Sequence, residues 1–519
     1  MRGTEEGRAR SSLAPSRAVL AKSGTACDGA TNFRSAVLVS RPVPRLNVLF
    51  VVSECVPLVK TGGLGDVAGA LPQALKARGH DVRVLMPRYR KTKAHPARKR
   101  DAPLAVPMGS AGGDRWCAVW EAELDGDVPL YLLEHDVLYD REGIYNDERG
   151  DFRDNVLRFA MLSRAGLILP EYLGWRADVI HAHDWQAALV PVYARWLGTG
   201  QATVLTIHNL GYQGRYGGGL LADTGIPAQH AGALGLVQRG DINLLQGGLA
   251  MASCLSTVSP RYAAEIQTHL GGAGLDGVLR MRSRDLVGIL NGIDEDIWNP
   301  RTDPLIVERF SEGDLDRGKA ACKAALQREL GLPVEPRAPL VGLVSRFAWQ
   351  KGIDVFAGAM DRLVGLGAQV AVLGSGEGWA EELFARWSRE LPRFRAQLRF
   401  DEGLAHRIEA GADLFVMPSR YEPCGLNQLY SQRYGTLPVV RAVGGLYDTV
   451  RDDHDGFVFE QLSARALADA LSYAIWTYRE RPQHFRAMQV AAMSKRMGWD
   501  VAAAQYDALY RLAVHRAKG

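Results

Sequence analysis

Apolar runs as long as buried strands recur along the chain after its first 45 residues, and they fall into two series. The first series opens with LNVLFVVS at 46–53, followed by a glycine-rich loop, the amphipathic stretch DVAGALPQALKARG and the run DVRVLMP at 81–87. Continuous apolar runs are typical of strands covered on both faces, and a helix between two of them predicts a parallel β-loop-α-β unit. Further strands are predicted at 177–183, 202–209, 252–259 and 285–292, and a hairpin at Asp125-Gly126.

The second series begins near Pro339 and alternates with helical patterns in the same way. Its apolar runs are PLVGLVSR, AQVAVLGSG, DLFVMPSR and TLPVVRAVGG. The pattern therefore predicts an α/β protein with two Rossmann-like, doubly wound parallel-sheet domains. Ligands of such sheets bind beyond the carboxyl ends of the strands, so we expect the two domains to face each other across a cleft that holds the functional residues.

These patterns divide the chain into four predicted segments. Residues 1–45 form an N-terminal extension, 46–287 the first domain, 288–490 the second domain, and 491–519 a C-terminal helix that packs back on the first domain. The extension is rich in Arg, Ser and Ala and poor in acidic residues, which fits a disordered tail and loosely fits an organelle transit peptide.

The amino-acid composition excludes some classes of protein and favours a globular one. Of the 519 residues, 47% are apolar and 23% are charged, which is typical of a globular protein, and the net charge of +4 gives no support to bulk nucleic-acid binding. The six cysteines are scattered without a CxxC pair, which argues against a disulfide framework and suits a reducing compartment. No apolar run reaches the roughly 20 residues that a membrane-spanning helix requires.

The stretch KTGGLGD, from Lys60 to Asp66, is the first candidate for chemistry. Gly62 and Gly63 allow the main chain to approach a ligand closely, and the helix that follows adds a partial positive charge to the full charge of Lys60. Together these features predict an anion site and favour a phosphate as the anion. The stretch is neither the GxGxxG nor the GxxxxGK[ST] pattern, so dinucleotide and NTPase interpretations are weak.

The second domain has a matching set of charged residues and helix starts. Arg346 and Lys351 follow one predicted strand and are suited to bind phosphate. Glu422 follows another strand, and Gly425, Leu426 and Asn427 then open a helix whose N–H groups favour a second phosphate. A carboxylate beside a phosphate site is explained if a sugar lies between them. The stretch AVGGLYDTV repeats the arrangement of strand, two glycines and helix.

Three patterns resemble metal sites, and none is favoured. His181 and His183 lie on one face of a strand without an evident third ligand. Asp125-Gly126-Asp127 is better interpreted as a hairpin turn, and Asp294-Glu295-Asp296 as a helix start. No metal is therefore predicted.

A series of motifs, in order along residues 46–515, resembles bacterial glycogen synthases and plant starch synthases. The motifs are KTGGLGDVAGALP, DREGIYND, DNVLRFA, VIHAHDWQAALVP, TIHNLGYQG, LNGIDEDIWNP, SRFAWQKGID, PSRYEPCGLNQLY, YGTLP and GGLYDTV. The resemblance implies the GT-B architecture of two Rossmann-like domains. It also implies transfer of glucose from ADP-glucose to the 4-hydroxyl at the non-reducing end of an α-1,4-glucan, with retention at the anomeric carbon and without a metal or other cofactor.

The resemblance also implies roles for individual positions. Glu422 matches the glutamate beneath the donor sugar, and Asp184 and His208 match residues beside the transferred glucose, so these three form the expected catalytic set. Arg346 and Lys351 match the pair that holds the diphosphate. The full expected donor-binding set is Lys60, Gly62, Gly63, Asp66, Asn291, Arg346, Lys351, Gly425, Leu426 and Asn427.

Four positions depart from the pattern of the family. Phe400 stands where a tyrosine is usual near the nucleotide, Asn427 and Val443 replace threonines on the phosphate side, and Gln246 stands where lysine is common. Asn427 still has a hydrogen-bond donor, whereas the Val443 side chain has none. We expect weaker or altered donor binding without loss of activity.

The residues leave several alternatives open. A related retaining glucosyltransferase would use UDP-glucose or another acceptor, and a catalytically inactive relative would serve as a glucan-binding scaffold. A phosphorylase would need a lysine that holds pyridoxal phosphate and a different overall pattern. The expected partners are ADP-glucose and an α-1,4-glucan primer, with no nucleic acid and no membrane. The expected location is the bacterial cytoplasm, or a plastid if residues 1–45 are a transit peptide.

Overall fold

The apolar runs of both series form buried strands in a computed structural model that describes residues 44–518. The predicted N-terminal extension, apart from its last two residues, lies outside the described residues, and so does Cys27. Within the described range, no helix combines the length and the apolar character needed to cross a bilayer.

The strands of the first lobe and of the loops beside it are β1 (Asn47–Val51), β2 (Asp81–Pro87), β3 (Arg98–Lys99), β4 (Leu104–Pro107), β5 (Asp114–Leu124), β6 (Val128–Glu134), β7 (Asn146–Asp147), β8 (Gly150–Asp151), β9 (Val179–His183), β10 (Ala202–Ile207), β11 (Arg215–Gly217), β12 (Val237–Gln238), β13 (Asp241–Asn243), β14 (Cys254–Thr257) and β15 (Leu286–Gly288). Those of the second lobe are β16 (Leu340–Val344), β17 (Gln369–Leu373), β18 (Phe394–Gln397), β19 (Leu414–Met417), β20 (Leu437–Arg441) and β21 (Phe457–Phe459).

The α-helices are α1 (Gly63–Ala77), α2 (Asp136–Tyr139), α3 (Asn155–Tyr172), α4 (Asp184–Ala187), α5 (Leu189–Trp196), α6 (Ala228–Ala231), α7 (Leu244–Met251), α8 (Pro260–Glu265), α9 (Asp276–Met281), α10 (Leu315–Leu330), α11 (Ile353–Gly358), α12 (Met360–Gly365), α13 (Gly378–Glu390), α14 (Glu402–Gly411), α15 (Asn427–Arg433), α16 (Gly444–Thr449), α17 (Ala464–Glu480), α18 (Pro482–Met493) and α19 (Trp499–Lys518). Short 3₁₀ helices lie at Arg90–Ala94, Gly109–Ala111, Asp125–Asp127, Gly218–Thr224, Ser283–Asp285 and Trp349–Lys351.

The first lobe is built on a ten-stranded sheet in the order β15-β14-β10-β9-β1-β2-β6-β5-β3, with β4 paired to β5. Its centre is parallel: Val48 of β1 is opposite Val82 of β2 on one side and Val179 of β9 on the other. Strands β5 and β6 form an antiparallel hairpin around Asp125–Asp127, which confirms the predicted hairpin. Four of the five β1 residues are buried, as the continuous apolar run predicts.

The second lobe is built on a six-stranded sheet in the order β18-β17-β16-β19-β20-β21, and all of its pairs are parallel. Helices connect β1 to β2, β9 to β10 and each successive pair of strands in the second lobe, so the predicted class of two doubly wound α/β domains is confirmed. The predicted residue limits of the domains stay predictions.

Two linker segments cross between the lobes side by side. The Ile293 N–H donates to the Met497 carbonyl over 2.8 Å, and Ile293 forms a parallel bridge with Gly498. After the second crossing, α19 packs on the first lobe, where the Tyr510 hydroxyl lies 2.9 Å from His181 Nδ1 and Arg516 pairs with Asp285 over 2.8 Å.

One predicted element is wrong. Asp294, Glu295 and Asp296 begin a turn and not a helix, because Asp294 Oδ1 accepts hydrogen bonds from the N–H groups of Asp296 (2.9 Å) and Ile297 (3.1 Å). Such side-chain bonds to nearby backbone compete with a helix, and Pro300 disfavours helical geometry at the residue before it.

Candidate active site

The segment that carries Glu422 lies against the first lobe. The Ser259 hydroxyl, at the start of α8, donates to the carbonyl oxygen of Pro423 over 2.6 Å. The Arg261 N–H donates to Asp448 Oδ2 of α16 over 2.7 Å. The loops after β14 and β19 are thereby joined, so residues at the carboxyl ends of strands from both sheets meet at one junction between the lobes.

Glu422 is held in a buried ion pair. Lys351 Nζ lies 2.9 Å from Glu422 Oε1 and 2.7 Å from Oε2, and the Ser419 hydroxyl donates to Oε2 over 2.9 Å. The Glu422 side chain is 6% exposed and that of Lys351 is 20% exposed. The lysine expected at a diphosphate therefore neutralises the carboxylate expected beneath the sugar, and the two sites share one cation.

Arg346 has a different environment from Lys351, although both follow β16. It is exposed, and its guanidinium makes no hydrogen bond or ion pair within residues 44–518. An unpaired guanidinium at the end of a parallel strand is available for a bidentate contact with an anion.

Backbone N–H groups at the start of α15 are also available to a ligand. Gly425 has φ +73°, and a Cβ there would lie 2.4 Å from Gln428 Oε1, so only glycine fits. The N–H groups of Gly425 and Leu426 form no hydrogen bond within the described residues. Asn427 Nδ2 donates to the Val344 carbonyl over 2.7 Å, so part of the donor capacity expected for an anion is used inside the protein.

The glycine pair Gly444-Gly445 of the second lobe is covered by a side chain of the first lobe. The Gly444 N–H, at the start of α16, donates to Glu265 of α8 at 3.1 Å to Oε1 and 3.2 Å to Oε2. A carboxylate of the protein thus fills a place that the sequence pattern assigns to an anion.

The glycine loop of the first lobe is organised by Glu54, a residue that the sequence reasoning missed. Its carboxylate accepts hydrogen bonds from the N–H groups of Thr61 and Gly62 (the latter over 3.2 Å) and from the Tyr145 hydroxyl over 2.7 Å. Only 3% of Glu54 is exposed. The available signal was an acidic residue directly after the buried run of β1, where an unpaired carboxylate is costly.

Lys60 and Asp66 are brought together at the start of α1. Lys60 Nζ lies 2.6 Å from Asp66 Oδ1, and about half of the lysine side chain is exposed. Burial raises the pKa of Asp66, and the charge and hydrogen bond of Lys60 act in the opposite direction. Gly63 is exposed, and a Cβ at Gly62 or Gly63 would meet no atom within 4 Å, so this side of the loop is open to a ligand.

Asp184 and His208 follow the ends of two neighbouring strands, β9 and β10, and lie side by side. Asp184, with φ +51°, follows β9, and its Oδ1 accepts the N–H groups of His208 (2.7 Å) and Asn209 (3.4 Å). Burial raises the pKa of Asp184 to about 7. Burial also lowers the pKa of His208 to about 3, so its imidazole is neutral near pH 7 and can act as a hydrogen-bond partner but not as a cation.

The histidines of β9 form a buried column. His181 uses both ring nitrogens, one with Tyr510 and one with Thr206 Oγ1 over 2.6 Å. His183 Nδ1 lies 2.9 Å from His208 Nε2. These contacts join His181 to α19 and β10, and His183 to His208, whereas His183 Nε2 is buried without a hydrogen-bond partner in the described part of the chain.

Asn291 lies in the first linker between the lobes. It is 7% exposed, and its Oδ1 is buried without a hydrogen-bond partner among residues 44–518. A buried amide oxygen without a partner is costly unless a ligand supplies a donor such as a hydroxyl.

The other three positions that depart from the family pattern are Phe400, Val443 and Gln246. Phe400 is 87% exposed, and Val443 is buried at the start of α16. Gln246 Nε2 donates to the carbonyl oxygens of Gly235 (2.8 Å) and Val237 (3.3 Å). The expected effect of these positions on donor affinity stays a prediction.

The pKa of Asp184 gives a testable dependence of stability on pH. Because the folded pKa of about 7 is above the ordinary aspartate value of 3.8, the folded state keeps a proton that the unfolded state loses, and stability falls as pH rises from about 4 to about 7 and is level above that. Asp184→Asn removes this dependence on pH. We expect the unfolding free energy of the variant, relative to the parent, to rise by about 2–3 kcal/mol between about pH 5 and 8 in urea titrations.

Asp354→Asn is the matched control for that measurement. The hydrogen bond from Arg420 lowers the pKa of Asp354, so its stabilising contribution is lost only below this pH range, and the difference from the parent is expected to stay constant. A flat difference for Asp184→Asn as well would contradict a buried, neutral carboxyl.

Comparison with known proteins gives matches along nearly all of the chain. Residues 47–281 match the family model described as starch synthase catalytic domain, and residues 338–475 match that of glycosyl transferases group 1. Glycogen synthase 1 of Geobacter sulfurreducens is 47% identical over 493 residues, covering 92% of this chain and 98% of that protein. Glycogen synthase of Anaeromyxobacter dehalogenans is 48% identical over 480 residues, covering 90% and 99%.

Solved structures agree with these matches. The catalytic domain of starch synthase IV from Arabidopsis thaliana, bound to ADP and acarbose, superposes with a TM-score of 0.83 at 32% identity, covering 91% of this chain and all of that one. Sucrose-phosphate synthase of Thermosynechococcus elongatus, at 20% identity and a TM-score of 0.55, shares the fold.

Proposed function

This chain belongs to the glycogen and starch synthase family of GT-B glucosyltransferases, and we propose that it extends α-1,4-glucans from ADP-glucose at the junction around Glu422. Glucose is transferred to the 4-hydroxyl at the non-reducing end, with retention at the anomeric carbon. The observation that carries this proposal is the buried Glu422 carboxylate held by Lys351 where the two lobes meet.

The proposed donor site stabilises the leaving group. Negative charge grows on the diphosphate oxygens as the bond to glucose breaks, and preorganised cations and N–H groups lower the energy of that state. Arg346 and the N–H groups of Gly425 and Leu426 have no partner within residues 44–518, so they are available for this contact. Lys351 is positioned to bridge the diphosphate and Glu422.

The proposed sugar site lies between Glu422 and the residues after β9 and β10. Glu422 orients the hydroxyls of the transferred glucose, and the unpaired amide oxygen of Asn291 accepts a hydroxyl. His208 acts as a neutral partner. Asp184 titrates near neutral pH and assists on the acceptor side. We favour attack from the face that the diphosphate leaves, with the proton of the acceptor hydroxyl passing to the departing phosphate oxygen.

The proposed reaction involves no metal or other cofactor. A diphosphate needs less help in leaving than an alcohol, so a second carboxylate acting as acid is not required. The proposed partners are ADP-glucose and a glycogen or starch primer, with no nucleic acid and no membrane, and the proposed location is the bacterial cytoplasm. Residues 1–45 leave the plastid alternative as a second proposal.

The activity is tested by incubating the protein with ADP-glucose and glycogen and measuring ADP release and incorporation of glucose into polymer. We expect both to depend on glycogen and to persist in excess EDTA. With UDP-glucose, kcat/KM is expected to be at least tenfold lower. A preference for UDP-glucose would support the related glucosyltransferase. Glycogen binding without turnover of either donor would support an inactive scaffold.

A further inference from the structure

Two tryptophans are exposed at the starts of neighbouring helices of the second lobe, Trp349 in the 3₁₀ helix Trp349–Lys351 and Trp379 in α13. Trp349, after β16, is 62% exposed, and Trp379, after β17, is 44% exposed. A single exposed tryptophan is common on a protein surface, but here two lie on adjoining segments, and neither ring belongs to the residues assigned to the reaction. They therefore need an explanation of their own.

The loops before these two helices are joined by a short ladder of hydrogen bonds. The Phe347 N–H donates to the Ser375 carbonyl over 2.7 Å, and the Glu377 N–H donates to the Phe347 carbonyl over 2.8 Å. The ladder fixes the loop of Trp349 against the loop that leads into Trp379, so the two rings belong to one rigid surface and not to two independent mobile tips.

One carboxylate holds both tryptophans. Glu377 Oε1 accepts the backbone N–H of Trp349 over 2.7 Å, and Oε2 accepts the indole N–H of Trp379 over 2.6 Å. With the indole N–H bonded in this way, the Trp379 side chain is held in one orientation. A ring that is fixed before binding loses little conformational entropy when a ligand stacks on it.

Arg420 supports Trp349 from one side. Its guanidinium carbon lies 4.8 Å from the centre of the Trp349 ring, and its two terminal nitrogens bond to Asp354 over 2.6 Å each. The guanidinium covers part of one ring face, and the exposed area of the ring remains open to solvent. Trp349 is thus supported by a cation and remains largely exposed.

We propose that Trp349 and Trp379 form a glucan-binding platform on the second lobe, at which pyranose rings of an α-1,4-glucan stack on the indoles and donate hydroxyl hydrogen bonds to Glu377 and Asp354. The flat C–H face of a pyranose matches an exposed indole, and carboxylates are strong acceptors for hydroxyls.

The charges of the platform favour a neutral ligand. Its two carboxylates, Glu377 and Asp354, outnumber the one guanidinium of Arg420, and a further cation of the segment, Arg346, is assigned to the diphosphate, so the carboxylates of the platform repel a polyanion such as a nucleic acid. A neutral polyhydroxylated chain avoids this repulsion.

The platform is also close to the site in sequence and structure. Trp349 lies two residues before Lys351, and Arg420 lies two residues before Glu422. A glucan held there stays near the proposed reaction site. This inference rests on the proposed function for the identity of the ligand.

The test measures glycogen binding without any donor, so that its outcome is independent of turnover. In affinity electrophoresis through glycogen-containing gels, Trp349→Ala/Trp379→Ala is expected to raise the apparent dissociation constant for glycogen about tenfold. The KM for glycogen is expected to rise by a similar factor, with KM for ADP-glucose and kcat for a short maltooligosaccharide changed less than about twofold. Trp349→Phe/Trp379→Phe is expected to recover most of the affinity, because each position keeps an aromatic ring.

Trp116→Ala is the matched control, since Trp116 is 63% exposed on β5 of the other lobe. It is expected to leave glycogen affinity unchanged. Unchanged glycogen affinity in the double alanine variant, with a parent-like circular dichroism spectrum, would overturn the platform. So would a rise in KM for ADP-glucose as large as that for glycogen, because the rings would then serve the nucleotide. An enzyme that binds glycogen through the platform but lacks turnover would overturn the proposed function alone.

Discussion

Replacing Glu422 by alanine is expected to reduce kcat about 10²–10³-fold while the KM for ADP-glucose changes by less than about fivefold. The carboxylate is buried, fixed by Lys351 and Ser419, and proposed to contact the transferred glucose, so its contribution is made mainly as the bond to the diphosphate breaks. Steady-state rates of ADP release at several ADP-glucose concentrations separate the two parameters.

Two further variants make that result specific. Glu422→Gln keeps the shape of the side chain and removes the charge, so it is expected to be nearly as inactive as the alanine variant. Glu480→Ala removes an exposed carboxylate at the end of α17 and is expected to behave like the parent. Turnover of Glu422→Ala within about threefold of the parent would remove Glu422 from the mechanism.

Lys351→Met is expected to lower kcat/KM about 10²–10³-fold and also to destabilise the protein by about 3 kcal/mol. The activity falls because the cation that stabilises the departing diphosphate is lost. The stability falls because Glu422, whose side chain is 6% exposed, is left without the partner that neutralises it. Steady-state kinetics measures the loss of activity, and urea unfolding monitored by tryptophan fluorescence measures the loss of stability on the same preparation.

The double variant Lys351→Met/Glu422→Gln separates stability from catalysis. Because no buried charge is left unpaired, we expect stability to return to within about 1 kcal/mol of the parent while activity stays at the level of the single variants. If Lys351→Met were as stable as the parent, the ion pair would not be the state of the free protein. If the double variant regained activity, neither residue would take part in the reaction.

The motifs gave the donor site as a set of residues but not as a set of contacts. Lys351 and Arg346 were expected to act as one pair, yet Lys351 is bonded to Glu422 and Arg346 has no partner in the described range. The main chain of the glycine loop was expected to approach an anion closely, yet two N–H groups of the loop are bonded to Glu54. Glu54 lies outside the glycine motif, and the motifs that contain Lys351 and Glu422 do not specify that these two side chains pair.

The sequence by itself determined the two-domain α/β fold, the family and the strand ends that carry the chemistry. These depend on the local sequence, because continuous apolar runs predict buried parallel strands and glycine-rich turns follow them directly. Only the tertiary structure decided the pairing of Lys351 with Glu422, 71 residues apart, and of Glu265 with Gly444, 179 residues apart. It also decided that Asp184 titrates near pH 7, because burial and the charges brought close by folding set a pKa, and neither can be inferred from neighbours along the chain.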